Sequence, residues 1–221
     1  MRPLSQPSAL AFDLDGTLVD SRLDIAATCN HVLAAAGRPA LDADVIATFV
    51  GDGVRALLAR AFEYACDDTR LGPLTDAFVA YYAAHPADHT TWMPGALDVL
   101  DAVAPWPLAV VTNKARAVTL AVLEALGASG RFAFVYAGGD GPLKPSAAPI
   151  VAVAGALHVE PSALWVIGDG DQDILAARAA GSFAVAVRGG FTGDERLRAA
   201  SPDAFLSSLA ELPALIQRAA S

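Results

Sequence analysis

Short, unbroken apolar runs recur along the chain: "ALAFDLD" at residues 9–15, "PLAVVTN" at 107–113, "RFAFVYAGG" at 131–139, "ALWVIGD" at 163–169 and "SFAVAVRGG" at 182–190. None alternates apolar with polar positions, which is the pattern of strands covered on both faces. Helical periods stand after three of them. "KARAVTLAVLEALGASG" follows the second run, "PSAAPIVAVAGALHVEP" the third and "DQDILAARAAG" the fourth, the last ending in a glycine suited to a helix C-terminus. "SLAELPALIQRAA" near the C-terminus reads as a final amphipathic helix. Strand–helix alternation of this kind predicts an α/β fold: a Rossmann-like parallel sheet with helices on both faces.

One interval breaks the alternation. From Ser21 to Thr90 no strand run is found, and "DSRLDIAATCNHVLAAAG", "GVRALLARAFEYAC" and "LTDAFVAYYAAH" all carry helical period. Ser21 is placed to cap the first of these helices, with Asp24 in its first turn facing the positive end. The chain therefore divides into a core of residues 1–19 and 91–221 and an all-α insert of residues 20–90.

In a parallel sheet, ligands bind beyond the carboxyl ends of the strands. The first run ends in Asp13 and Asp15, the second in Thr112 and Asn113, and the fourth in "GDGDQD", with Asp169, Asp171 and Asp173. Lys144, in "GPLKPS", precedes the third helical stretch. The chain has two lysines, Lys114 and Lys144, and both fall beside this edge. Oxygen ligands without neighbouring histidine or cysteine favour a hard cation, Mg²⁺ above all. A cation would also let clustered carboxylates stay ionised. A lysine and a hydroxyl beside it make a phosphate site, and a carboxylate there can attack phosphorus. Asp13 and Asp15 could instead be a turn pair before Gly16, but that leaves the other strand ends unexplained.

Composition narrows the partners. The chain of 221 residues is 54% hydrophobic with a net charge of −9 and no basic stripe, which argues against nucleic acid or an anionic membrane surface. The first residues lack a signal peptide pattern, and no apolar run is long enough to span a membrane. Cys29 and Cys66 have no metal or disulfide spacing and read as free thiols. Cytoplasmic residence is the expectation. Nothing in the pattern fixes the oligomeric state, monomer or homodimer.

"DLDGT", "VVTN", "LKP" and "GDGDQD", in this order, resemble the four signature motifs of the haloacid dehalogenase (HAD) superfamily of phosphatases. The insert is similar to that superfamily's small helical cap. "FDLDGTLVDS", "FVGDGV", "GDGDQDILAARAAG" and "SPDAFLSSLAELPALI" resemble most the phosphoglycolate phosphatase branch. The resemblance implies that Asp13 is the nucleophile and that Asp15 protonates the leaving alcohol and later deprotonates water. Thr112 and Lys144 would meet the phosphoryl group. Asp169 would hold Mg²⁺ with Asp13 and the Asp15 carbonyl, and Asp173 would be a further ligand or an acid just behind them. Gly16, Thr17 and Asn113 join the substrate-binding set, although Asn113 also suits a helix N-cap. Asp171 fits a helix N-terminus better than a ligand, and Gly170 stands where many relatives carry a serine.

The cap loop, Gly51, Asp52 and Gly53, faces the substrate in the resembling branch. An acidic Asp52 there would repel a substrate carboxylate, and Arg55 or Arg22 could compensate. The expected substrate is a small phosphorylated metabolite of the phosphoglycolate kind. The alternatives are a sugar-phosphate phosphomutase like β-phosphoglucomutase, or another phosphatase such as a nucleotidase or pyrophosphatase. A carbon–halogen hydrolase would not need Asp15, and a non-catalytic protein would not need the whole set of acids. His31, His85, His89 and His158 show no catalytic pattern, and Trp92, Trp106 and Trp165 read as packing.

Overall fold

A computed structural model describes residues 4–220. In chain order the elements are β1 (Ala9–Phe12), β2 (Val19–Asp20), α1 (Arg22–Ala35), α2 (Ala43–Ala47), α3 (Val54–Phe62), α4 (Leu71–Ala84), β3 (Thr91–Trp92), α5 (Ala96–Ala102), β4 (Leu108–Ala115), α6 (Arg116–Ala125), β5 (Phe134–Gly138), α7 (Ala148–Ala156), β6 (Leu164–Gly168), α8 (Asp171–Ala180), β7 (Phe183–Val187), α9 (Asp194–Ala199), β8 (Ala204–Leu206) and α10 (Leu212–Ala219). The five apolar runs are the first five strands of a six-stranded parallel sheet, in the order β5-β4-β1-β6-β7-β8. The sixth strand, β8, has three residues and no run of its own.

Strand alternation sorts these runs between two cores. Leu10 and Phe12 of β1, Trp165 and Ile167 of β6, and Phe183 and Val185 of β7 enter one core, where Leu100, Val122 and Leu215 from α5, α6 and α10 pack. Ala9 and Ala11, Ala184 and Ala186 face the other way, with Ile150 and Val153 of α7 and Ile174 and Ala177 of α8. The small side chains on this second face leave room for two helices to lie close to the sheet. Continuous apolar sequence is thus the signature of a strand buried twice.

β1 lies at the centre, with β4 on one side and β6 on the other. The strand ends that carry Asp13, Thr112 and Asp169 are therefore neighbours in space. α1–α4 follow β1 and β2, and the chain enters and leaves this insert through β2 and β3, which pair antiparallel. In α1 the buried residues Ile25, Cys29, Val32 and Leu33 recur at helical spacing and turn inward.

One expectation about the start of α1 is corrected. Ser21 makes no cap bond; its hydroxyl donates to Asp15 Oδ1 at 2.6 Å. Asp24 stands in the first turn of α1 as expected, and its buried carboxylate also accepts from the backbone N–H of His89 and Thr90 and from the Thr90 hydroxyl. It fastens the entrance of the insert to its exit. Cys29 is buried and Cys66 exposed, both unpaired, and burial pushes the Cys29 thiol up to about 11. Trp165 is buried and stacks on Phe183, and His31 stacks on Tyr81. Among the described residues no helix is long and apolar enough to cross a membrane.

Candidate active site

A cavity lies between the carboxyl edge of the sheet and the helical insert. At its floor, where β1 ends, Asp13 is buried and accepts from Lys144 Nζ at 2.9 Å. Lys144 spends its other hydrogens on the Val111 carbonyl at 2.6 Å and on Asp173. Burial works to lower the ammonium's pKa, and Asp13 and Asp173 more than offset it, holding the charge above its ordinary range.

Asp13, Asp169 and Asp173 each present a carboxylate oxygen within 4.8 Å of the others. Asp169 accepts from the Thr17 hydroxyl at 2.7 Å and the Phe191 N–H at 2.8 Å, and Asp173 from the Gly170 N–H at 3.0 Å. Burial and the repulsion of Asp13 push Asp169 up to about 7 and Asp173 up to about 8. Three carboxylates buried this close resist joint ionisation unless a cation joins them, and an all-oxygen set of this kind suits a hard divalent cation. Asp15 does not share in the cluster. Its side chain turns to the insert, where it accepts from Lys114 Nζ at 2.9 and 3.2 Å and from Ser21. Asp13 and Asp15 thus leave the same strand end for separate partners, one cationic group each.

The structure brings Asp13, Asp15, Thr112, Lys144 and Asp169 to the cavity wall. Asp173 stands behind them, fully buried. Other expected positions serve differently. Thr17 does not line the cavity: its hydroxyl both donates to Asp169 and accepts from the Asp169 N–H at 2.9 Å, clamping the loop after β1 to the end of β6. Gly16, at φ +88, packs against Asp169, whose carboxylate would lie 2.4 Å from any Cβ there. Asn113 caps no helix, because β4 runs on to Ala115. Its amide donates to the Gly51 and Lys144 carbonyls at 2.8 and 2.9 Å, and its oxygen accepts from Lys144 N–H at 2.8 Å. Asn113 lines the cavity, and its carboxamide ties the insert to the loop that carries Lys144. Asp171 pairs with Arg196 at the start of α8, in keeping with a helix N-terminus.

The loop before α3 is divided. Gly51 and Gly53 line the cavity, at φ +123 and +85. A Cβ at Gly53 would come within 3.0 Å of Leu143, and one at Gly51 within 3.1 Å of Gln172. The two glycines let the insert's backbone approach the core. Asp52 between them points outward and pairs with Arg60, so the expected clash with a substrate carboxylate does not arise. Arg55 donates to the carbonyls of Cys66 and Asp68, and Arg22 pairs with Asp20; neither lines the cavity.

Two residues at the far end were not singled out by sequence as site residues. Tyr82 of α4 accepts from Lys114 Nζ at 2.9 Å, with the ammonium 4.1 Å from its ring centroid. Burial lowers Lys114's hold on its proton, and Asp15 and Tyr82 more than offset that, so it stays charged. The rarity of lysine was the one signal for Lys114. Tyr82 had none, since its place in a helical period reads as packing.

A protein-family model described as haloacid dehalogenase-like hydrolase matches residues 10–187. The phosphoglycolate phosphatase of Chromobacterium violaceum is 38% identical over 216 residues, 95% of this chain and 96% of that protein. The phosphoglycolate phosphatase of Agrobacterium fabrum is 35% identical over 98% of this chain and 95% of its own length. A crystal structure described as a predicted phosphoglycolate phosphatase from Haemophilus somnus superimposes with a TM-score of 0.84 at 26% identity, covering 95% and 97% of the two chains. With the sheet order, the paired aspartates after β1 and the buried lysine beside them, these matches establish that the chain belongs to the haloacid dehalogenase-like hydrolase family.

Proposed function

We propose that the protein is a Mg²⁺-dependent phosphomonoester hydrolase acting on phosphoglycolate or a closely similar small phosphorylated acid. The observation that carries this reading is the Asp13 carboxylate, held by Lys144 at 2.9 Å at the floor of a cavity roofed by the insert. The relatives named as phosphoglycolate phosphatases supply the substrate class.

In this reading Asp13 attacks phosphorus, its oxygen forming a bond as the ester oxygen leaves. Asp15 gives that oxygen its proton, so the alcohol departs neutral, and Asp13 is left as an aspartyl-phosphate. Thr112 donates to a phosphoryl oxygen, and Lys144 offsets charge on the phosphoryl group and the nucleophile. Asp15, now ionised, takes a proton from water, which attacks phosphorus and returns Asp13 with release of phosphate. Asp13, the Asp15 carbonyl and Asp169 would hold the Mg²⁺, with Asp173 a further ligand or an acid just behind them, and the cation would supply positive charge to draw in and polarise the phosphoryl group. Residues 20–90 act as the cap and residues 1–19 and 91–221 as the catalytic core. Two unpaired cysteines and a soluble metabolite as substrate support residence in the cytoplasm.

The test is release of inorganic phosphate from phosphoglycolate, with MgCl₂ and with EDTA. The expected kcat/KM with Mg²⁺ is on the order of 10⁴–10⁶ M⁻¹s⁻¹, falling to background with EDTA. Isomerisation of a sugar 1-phosphate without phosphate release, or equal rates in EDTA, would overturn the reading.

The cation also leaves a thermodynamic trace. Without metal, Asp169 and Asp173 keep protons up to about pH 7 and 8 in the folded chain, whereas the unfolded chain loses them near 3.8. The folded state therefore binds more protons across that window, and metal-free stability falls as pH rises through it. A divalent cation takes the protons' place, so its benefit grows in the same direction. The Mg²⁺-induced rise in Tm should be larger at about pH 8.5 than at about pH 6. A shift that is the same or smaller at the higher pH would remove these carboxylates from the metal site.

A further inference from the structure

We propose that Lys114 is the residue that selects phosphorylated carboxylic acids over neutral phosphate esters, by receiving the substrate's carboxylate on its ammonium. This rests on the hydrolase reading above and adds a receptor for the part of the substrate that does not react.

The argument begins with the supply of positive charge. Among the described residues, the cations lining the cavity are Lys114 and Lys144. Lys144 stands at the phosphoryl end, bonded to Asp13, Asp173 and the Val111 carbonyl, whereas Lys114 stands at the far end, bonded to Asp15 and Tyr82. The arginines near the insert are engaged elsewhere: Arg22 with Asp20, Arg55 with two carbonyls, Arg60 with Asp52. The rest of the roof is apolar, built from Ile25, Val54, Leu57 and Phe78. A second anionic group entering this space meets one cation, Lys114. An unpaired carboxylate against apolar walls is costly, so an acid substrate must reach it.

Lys114 also stands where the chemistry puts such a group. Its Nζ is 2.9 Å from Asp15 Oδ1, and in the hydrolase reading Asp15 is the group that meets the leaving oxygen. In phosphoglycolate a single methylene separates that oxygen from the carboxylate carbon. One end of the substrate against Asp15 therefore brings its carboxylate beside Lys114. Tyr82 completes the receptor. Among the described residues its hydroxyl accepts from Lys114 and donates to none, which leaves its hydrogen for a carboxylate oxygen. Because Tyr82 sits on α4, a carboxylate bound to both would bridge core and insert.

The experiment compares kcat/KM for phosphoglycolate and for 2-hydroxyethyl phosphate, its neutral counterpart, in the Mg²⁺-loaded full-length enzyme. The wild type should prefer the acid by about 100-fold or more, since an ion pair with a buried ammonium is made by one ester and not the other. In Lys114→Met that ratio should collapse to about one or below, whatever happens to the absolute rates through Asp15. In Tyr82→Phe it should fall about 10-fold, and this variant decides the matter if Lys114→Met does not fold. An equal fall for both esters in Lys114→Met would show that Lys114 acts through Asp15 alone and would overturn the proposal. A wild type that hydrolyses both esters without preference also overturns it, while leaving the hydrolase reading intact. Failure to release phosphate from either ester would sink that reading itself.

Discussion

Asp13→Asn should lower kcat by about 10⁴-fold or more while the chain still folds, a barrier increase of at least about 5.5 kcal/mol. Asparagine has the shape of aspartate, so Lys144 keeps an oxygen to bond. What is lost is the charge and the nucleophile, because an amide oxygen does not form the phosphoryl bond that the reaction requires. The substitution also removes one of the three carboxylates that crowd within 4.8 Å. Metal-free Asp13→Asn should therefore melt no lower than the wild type, and its Mg²⁺-induced rise in Tm should shrink. Phosphate release and thermal unfolding check the two halves separately. A variant with near-normal Mg²⁺-dependent turnover would show that another group attacks phosphorus.

Asp24→Ala should destabilise the chain substantially. The carboxylate is 3% exposed and takes hydrogen bonds from Thr90 N–H at 2.7 Å, the Thr90 hydroxyl at 2.6 Å and His89 N–H at 3.0 Å. Alanine leaves these donors facing a void, in a place that water does not readily fill. The expected loss is about 3 kcal/mol, or roughly 6–12 °C in Tm for a chain of this size. Asp24→Asn should fall between the two, keeping one acceptor and introducing hydrogens among donors. Thermal unfolding reads the effect directly. An unchanged Tm in Asp24→Ala would mean that the entrance and exit of the insert are held by packing alone.

Much of this architecture is legible in the sequence, for reasons that vary by element. The five long strands announce themselves because burial on both faces keeps polar residues out of all but the carboxyl end of β4. β8, with Ala204–Leu206, and the two-residue strands β2 and β3 are too short to impose a pattern. The five-residue α2 and the six-residue α9 escape for the same reason. At the site, Asp13, Asp15, Thr112, Lys144 and Asp169 are readable because each stands at a strand end or loop whose place the fold dictates. The roles of Ser21, Thr17 and Asn113 are not readable, since each acts through a partner far away in the chain: Asp15 for the first, Asp169 for the second, Gly51 and Lys144 for the third. Asp52 misleads because sequence shows a carboxylate in a loop and not the direction in which it points. Only coordinates reveal that Arg60 draws it outward.

The central position of β1 has a consequence for synthesis of the chain. Ala9–Phe12 are completely buried in the finished sheet, but their neighbours β4 and β6 arrive late, at Leu108 and Leu164. At roughly 5–20 residues per second, the strand waits about 8–30 s between its own emergence from the ribosome and that of its second neighbour. During that time α1–α4 can form from local contacts, whereas the strand beside them stays an unpaired apolar edge. The nascent chain is therefore most vulnerable to aggregation at the segment that will later carry the nucleophile.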